Sequence, residues 1–164
     1  MRRMRRIATI GVYEFNAASF IQTLDEANVT QLIDIRQRRG VRGPDYAWAN
    51  ARRLQALLSD ARISYVYHPE LAPDTELRQL QYREDDRQGV GKRSRVKLAA
   101  EYIRQYTEEI LDLVPLEPLI RSLPVHGIGA LLCVEASAHA CHRSLVTNRL
   151  AEQYGFAITH LEPR

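Results

Sequence analysis

Short apolar runs alternate with longer stretches of helical periodicity along this chain, and that alternation admits few folds. Ile7 to Tyr13 reads as a first strand, with Gly11 near its end as a point of close backbone approach. A helix starting near Asn16 or Ser19 carries Phe20, Ile21, Leu24 and Ala27 on one face. Gln31 to Arg36 is a second strand, and a helix from about Ala47 to Asp60 turns Leu54, Leu57, Leu58 and Ala61 inward. Ile63 to Tyr67 is a third strand. A long helix over about Val96 to Leu113 shows Leu98, Tyr102, Tyr106, Ile110 and Val114 at four-residue spacing. Pro115, Pro118 and Pro124 bracket a short helical piece around Leu119 to Ser122. The continuous apolar run Ile128 to Val134 fits the middle of a parallel sheet. A helix from about Cys141 to Tyr154 and a last strand, Ala157 to Leu161, close the pattern.

Strand and helix in this order predict an α/β fold: a mostly parallel five-stranded sheet flanked by helices, a Rossmann-like three-layer sandwich. At 164 residues and 45% hydrophobic the chain is expected to be a single α/β domain over residues 1–164. To it are added a basic tail, Met1 to Arg6, and a polar excursion over about 71–95, read as exposed and partly helical. No apolar run reaches a membrane span, the N-terminus is no convincing signal peptide, and two cysteines make no disulfide framework. A cytoplasmic protein with both thiols free is the expectation. The net charge of +3 permits nucleic acid or a phosphorylated ligand without demanding either.

Ligands of parallel α/β sheets bind at the carboxyl ends of the strands, and the polar residues gather there. Tyr13 follows the first strand, Asp34 and Arg36 end the second, and His68 and Glu70 follow the third. Cys133 and Glu135 end the fourth, Cys141, His142 and Arg143 open the next helix, and His160 and Glu162 end the fifth. Each has a structural and a functional reading. Cys133 is a small core residue or a nucleophile. Cys141, at a helix start beside His142 and Arg143, is a structural residue or a thiol with a lowered pKa. Arg143 holds an anion or pairs with Glu135, and Asp34 and Arg36 pair across the sheet edge or act on substrate. His68 is a base or bonds its loop; Glu70 binds substrate or a backbone turn. Arg38, Arg39 and Arg42 lie in a solvated loop or touch a polyanion. Tyr46 and Trp48 stack on a base or pack in the core.

Cys133, Cys141 and His142, with His68, were they to converge, would make a soft metal site. The chain has no Cys-x-x-Cys pair, and adjacent Cys141 and His142 at a helix start tend to point apart, so no metal ligand set is assigned. No cofactor is indicated. A Cys133–Cys141 disulfide is geometrically conceivable but unfavoured in a reducing compartment. Gly89 to Ser94 lacks the spacing of a phosphate-binding loop.

Nearly the whole chain resembles the bacterial and archaeal "domain of unknown function 488" family. Thr9-Ile10-Gly11, Asp34-Ile35-Arg36, Arg42 and Tyr65 to Leu71 match its pattern. The most specific match is Leu131 to Glu135, a Leu-Leu-Cys-x-Glu strand, followed by Cys141-His142-Arg143. Val12-Tyr13 stand where the family usually has His-Ser, Arg39 and Val41 where it has Pro and Ser, and Ala72 where it has Gly. Were that histidine catalytic, this chain would be altered in that step. The resemblance implies an α/β fold and one shared site, and supplies no reaction.

The leading expectation is an enzyme, a hydrolase or transferase, acting on a phosphate-bearing small molecule or nucleic acid. Arg36, Arg42 and Arg143 would hold the anion, with Tyr13 and Glu70 at the substrate. Glu135, Asp34 or His68 would do acid–base work beside His142, and Cys141 or Cys133 would be nucleophile or redox-sensitive thiol. The rivals are a non-catalytic nucleic-acid-binding module, using the tail, the Arg36–Arg42 loop and the Arg83–Lys97 segment, and a metal-bound regulatory protein.

Overall fold

The computed structural model describes residues 5–91 and 94–163. Most of the basic tail, together with Lys92 and Arg93, lies outside the described residues. Five strands, β1 (Arg6–Ile10), β2 (Val29–Asp34), β3 (Ser64–Tyr67), β4 (Ile128–Leu132) and β5 (Ala157–Leu161), form one sheet. All four pairings are parallel and the order is β3-β2-β4-β1-β5. The α/β architecture expected from the alternation is therefore present, with β4 at the centre.

Side chains alternate across the sheet, as a period of two requires. Ile7, Ile33 and Leu131 enter one core; Ala8, Ile10, Leu32, Ala130 and Leu132 enter the other. The second core is covered by α1 (Ala17–Glu26), through Phe20 and Leu24, and α2 (Ala51–Asp60), through Leu54 and Leu58. Asn16 and Ser19 cap α1 reciprocally, each side chain meeting the other's backbone N–H. The first core is covered by α3 (Thr75–Gln88), α4 (Ala100–Tyr106), which runs on into a wider π-type turn at Thr107–Leu111, the short α5 (Glu117–Arg121) and α6 (Arg143–Tyr154). No helix among the described residues is long and apolar enough to cross a membrane.

Three expectations are corrected. The polar excursion is not an exposed segment: α3 packs on the sheet and buries Leu77, Gln81 and Asp85, each four residues from the last. The long helix begins at Ala100 rather than Val96, which is 71% exposed. The last helix begins at Arg143 rather than Cys141, whose backbone is extended.

Candidate functional site

The chain leaves β1 and β2 toward one face of the sheet and leaves β3 and β4 toward the other. Neighbouring connections therefore diverge on both sides of β4, and a crevice must open at its carboxyl end. A cleft of about 510 Å³ lies there. Tyr13 lines it from the end of β1, and residues 36–38 and 40–42 line it from the loop after β2. Cys133, Glu135, Cys141 and His142 come from the segment after β4, and Arg78 and Arg95 from α3 and the loop behind it.

The segment after β4 is fixed by a close backbone approach. A Cβ on Gly11 would meet the Glu135 carbonyl oxygen at 1.9 Å, so only glycine fits, as its place near the strand end suggested. Val12 N–H and Tyr13 N–H both donate to Val134 O, at 2.9 and 3.0 Å. Arg143 then bolts the turn from below. It is fully buried and donates from Nη1 to Glu135 O at 2.7 Å, from Nη2 to Ala136 O at 3.2 Å and from Nε to Thr9 Oγ1 at 3.2 Å. Burial lowers its pKa to about 10, against the pull of Glu135, and it remains a cation at neutral pH.

Above that bolt four functional groups converge. Cys133 and Cys141 are joined as a disulfide, a correction to the expectation of free thiols. Arg143 N–H, at the start of α6, points to Cys141 Sγ at 3.4 Å. His142 Nδ1 lies 3.5 Å from Cys133 Sγ and 3.8 Å from Cys141 Sγ. Its Nε2 is 2.8 Å from the Ile35 carbonyl, which only accepts, so Nε2 carries the hydrogen and Nδ1 is bare. Burial pushes the imidazole pKa down to about 4, and the ring is neutral at physiological pH. Glu135 Oε2 sits 3.2 Å from Cys133 Sγ.

Glu135 is held by Arg95, whose Nη2 donates to Oε1 at 2.7 Å while Nη1 donates to Asp85 at 2.7 Å and Nε to Ala140 O at 3.1 Å. This buried triad joins α3 to the β4 turn. Gln81 extends it, donating to Asp85 and accepting from Ala99 N–H. Arg36 is likewise committed: Nε and Nη2 form a fork on Asp34, both at 2.9 Å, and Nη1 donates to Ala49 O. Tyr65 donates to the same Asp34 carboxylate. Burial, with Arg39 pulling the other way and Asp34 adding to it, pushes the phenol up to about 12. Arg39 stacks 4.2 Å over the Tyr67 ring.

The cleft thus gathers Tyr13, Arg36, Arg42, Cys133, Glu135, Cys141 and His142 from the expected set. Asp34, His68, Glu70 and Arg143 do not line it. Asp34 and Arg143 are spent on structure, and His68 Nδ1 pairs with Glu70 at 2.6 Å beside the sheet edge. Cys141 precedes α6 instead of opening it. Trp48 packs against Phe20, 4.9 Å between centroids, and Tyr46 meets Tyr13 edge-on at 5.3 Å. Arg78, Gln81, Asp85 and Arg95 lie in the stretch expected to be exposed; the four-residue spacing of Leu77, Gln81 and Asp85 is a signal for the buried face of α3, whereas Arg95, beyond the helix, carries none.

Among the described residues that line the cleft, five are arginines and one, Glu135, is a carboxylate. Arg36 and Arg95 are neutralised by Asp34, Asp85 and Glu135. Arg38 and Arg78 have no carboxylate partner among the described residues; Arg78 donates instead to Gln37 and Tyr82. The mouth of the cleft is therefore positive, above a floor of neutral imidazole, carboxylate and sulfur.

No curated protein and no solved structure matches this chain. One family model does, the Domain of unknown function DUF488, over residues 16–150. That span runs from α1 into α6 and takes in the floor of the cleft, and the chain belongs to this family.

Proposed function

We propose that the cleft binds a phosphate-bearing substrate, a nucleotide or a nucleic-acid end, and that the chain is a hydrolase or transferase acting on it. The observation that carries this reading is the excess of guanidinium over carboxylate in one cleft at the carboxyl edge of the sheet. Arg38 and Arg78, with Arg42, would hold the anion. Arg36 and Arg143 are not anion ligands in this reading, because their N–H groups are spent on Asp34 and on backbone carbonyls.

The floor supplies the chemistry. His142 presents a bare Nδ1 and Glu135 a carboxylate fixed by Arg95; either would take a proton from an attacking water or alcohol. With the two sulfurs joined, an oxygen nucleophile fits the arrangement better than a thiolate.

The test is a thermal-shift series with nucleotides, inorganic phosphate and pyrophosphate, and short DNA and RNA, on wild type and an Arg38→Ala/Arg78→Ala variant. A ligand at a hundred times its Kd stabilises by about 2.7 kcal/mol, roughly 5–10 °C for a chain of this size. A nucleotide or oxyanion shift that the double variant abolishes supports the reading. A shift with nucleic acid alone that falls steeply with salt and survives the double variant would replace it with a non-catalytic binding module.

A further inference from the structure

The sulfurs of Cys133 and Cys141 and Nδ1 of His142 all lie within 4.8 Å of one another. Adjacent residues such as Cys141 and His142 were expected to point apart. They converge because Cys141 is extended while His142 has already entered the helical region, which swings the ring back over the sulfur. We propose that the reduced chain binds a soft divalent metal ion, zinc above all, through Cys133 Sγ, Cys141 Sγ and His142 Nδ1, with its fourth position open to the cleft. The proposal does not rest on the anion site of the phosphate reading, but it shares the floor of the cleft: in the metal-bound chain His142 Nδ1 is a ligand and Glu135 alone remains as base.

Four observations carry it. The imidazole side of the spacing fits: a tetrahedral ion with bonds of about 2.3 Å to sulfur and 2.0 Å to nitrogen sets nitrogen roughly 3.5 Å from each sulfur and the sulfurs roughly 3.8 Å apart; His142 Nδ1 stands 3.5 and 3.8 Å from the two sulfurs, and the sulfurs, bonded here, must separate on reduction. The tautomer fits: Nε2–H is engaged by the Ile35 carbonyl, so Nδ1 carries a lone pair, as the outer-shell partner of a ligating histidine arranges. The ring cannot swing away, because it is buried and packs on Tyr106, 5.6 Å between centroids. The thiolate is provided for, since the first N–H of α6 already points to Cys141 Sγ.

The donor set also selects the ion. Two sulfurs and an imidazole favour zinc over magnesium or calcium, which take oxygen. Two thiolates and a divalent cation sum to zero charge, suiting a floor where the three residues are 2–4% exposed. All three nevertheless line the cleft, so the open position faces it. Three protein ligands and one open position are the pattern of a catalytic rather than a structural zinc. Glu135 Oε2, 3.2 Å from Cys133 Sγ, is placed to accept a hydrogen bond from a metal-bound water.

In this structure the sulfurs are bonded to each other, so binding requires reduction first. A dithiol reductant supplies two electrons and two protons: the Cys133–Cys141 bond breaks, two thiols form, and the reductant becomes a disulfide. The metal ion then displaces both thiol protons. The oxidised chain has no thiolate and holds no ion at this place.

The test uses the full chain, stripped with a chelator, reduced under an oxygen-free atmosphere by a phosphine (one water supplies the oxygen of the phosphine oxide and the hydrogens of the two thiols), and titrated with Co²⁺. The expected result is one Co²⁺ per chain, with tetrahedral visible bands and near-ultraviolet sulfur-to-cobalt charge transfer, displaced by Zn²⁺. The oxidised wild type shows no bands. Cys133→Ser and Cys141→Ser each roughly halve the charge-transfer intensity, and His142→Gln weakens binding at least tenfold. Reduced wild type that takes up no Co²⁺, or oxidised wild type that shows the same bands, overturns the proposal without any variant having to fold.

Discussion

Gly11→Ala isolates the close approach that fixes the floor of the cleft. The new methyl would sit 1.9 Å from Glu135 O and 2.8 Å from its carbonyl carbon, both backbone atoms that cannot rotate away. Relief requires the turn after β4 to retreat by more than about 1 Å, since carbon–oxygen contacts under about 3 Å are not sustained. That retreat strains the two bonds to Val134 O and the Arg143 bond to Glu135 O. At about 1 kcal/mol for each neutral bond and roughly 1.5–3 for the charged one, the expected loss is about 3–5 kcal/mol. In urea unfolding this appears as a lower midpoint with unchanged slope. Gly89→Ala is the control: a Cβ there meets nothing within 4 Å, and only the positive φ of 71° is strained, so it costs about 1–2 kcal/mol. Gly11→Ala within 1 kcal/mol of wild type, or no worse than Gly89→Ala, would refute the reasoning.

Arg95→Met leaves Asp85 and Glu135 buried without their cation and should cost about 3–5 kcal/mol in the same assay, with Arg95→Lys recovering part of it. Reducing the Cys133–Cys141 bond, which closes a loop of sequence separation 8, should lower the stability of metal-free protein by about 2.5 kcal/mol on the chain-entropy argument, read from denaturation with and without reductant. Burial, then Arg143 and His139, hold the His160 pKa below its ordinary value. The ring's Nδ1 lies 2.7 Å from Thr9 Oγ1, which accepts from Arg143 Nε. The unfolded chain therefore binds the extra proton first, and the His160 contribution, intact above about pH 6.5, is lost as the pH falls. His160→Gln should flatten the stability–pH curve between about pH 7 and 5; an unchanged slope would show that His160 does not titrate differently on folding.

The sheet was legible because its strands are apolar runs and its helices carry four-residue spacing. Ile128–Leu132 needed only its continuous apolar run, and the Leu54–Leu58 pair only its helical spacing. The convergence of Cys133, Glu135 and His142 was legible too, because each ends or opens an element at the carboxyl edge. Arg36 and Arg143 were not. Whether a guanidinium faces a ligand or a backbone carbonyl depends on where the turn at residues 133–137 leaves its oxygens, which no local pattern encodes. The Arg95 triad was hidden for the same reason: its partners lie 10 and 40 residues away. The sulfur pairing depended on side-chain direction, which the eight-residue separation leaves open.

The most direct test of the anion cleft is to locate a phosphate mimic in crystals. Tungstate diffused into crystals of the wild-type chain gives an anomalous signal that marks its position without prior phases for the ligand. The account predicts a peak in the cleft, between the guanidiniums of Arg38 and Arg78 and above the His142 ring, absent from the Arg38→Ala/Arg78→Ala variant. A peak only at the opposite edge of the sheet, or an unmoved peak in the variant, would contradict it.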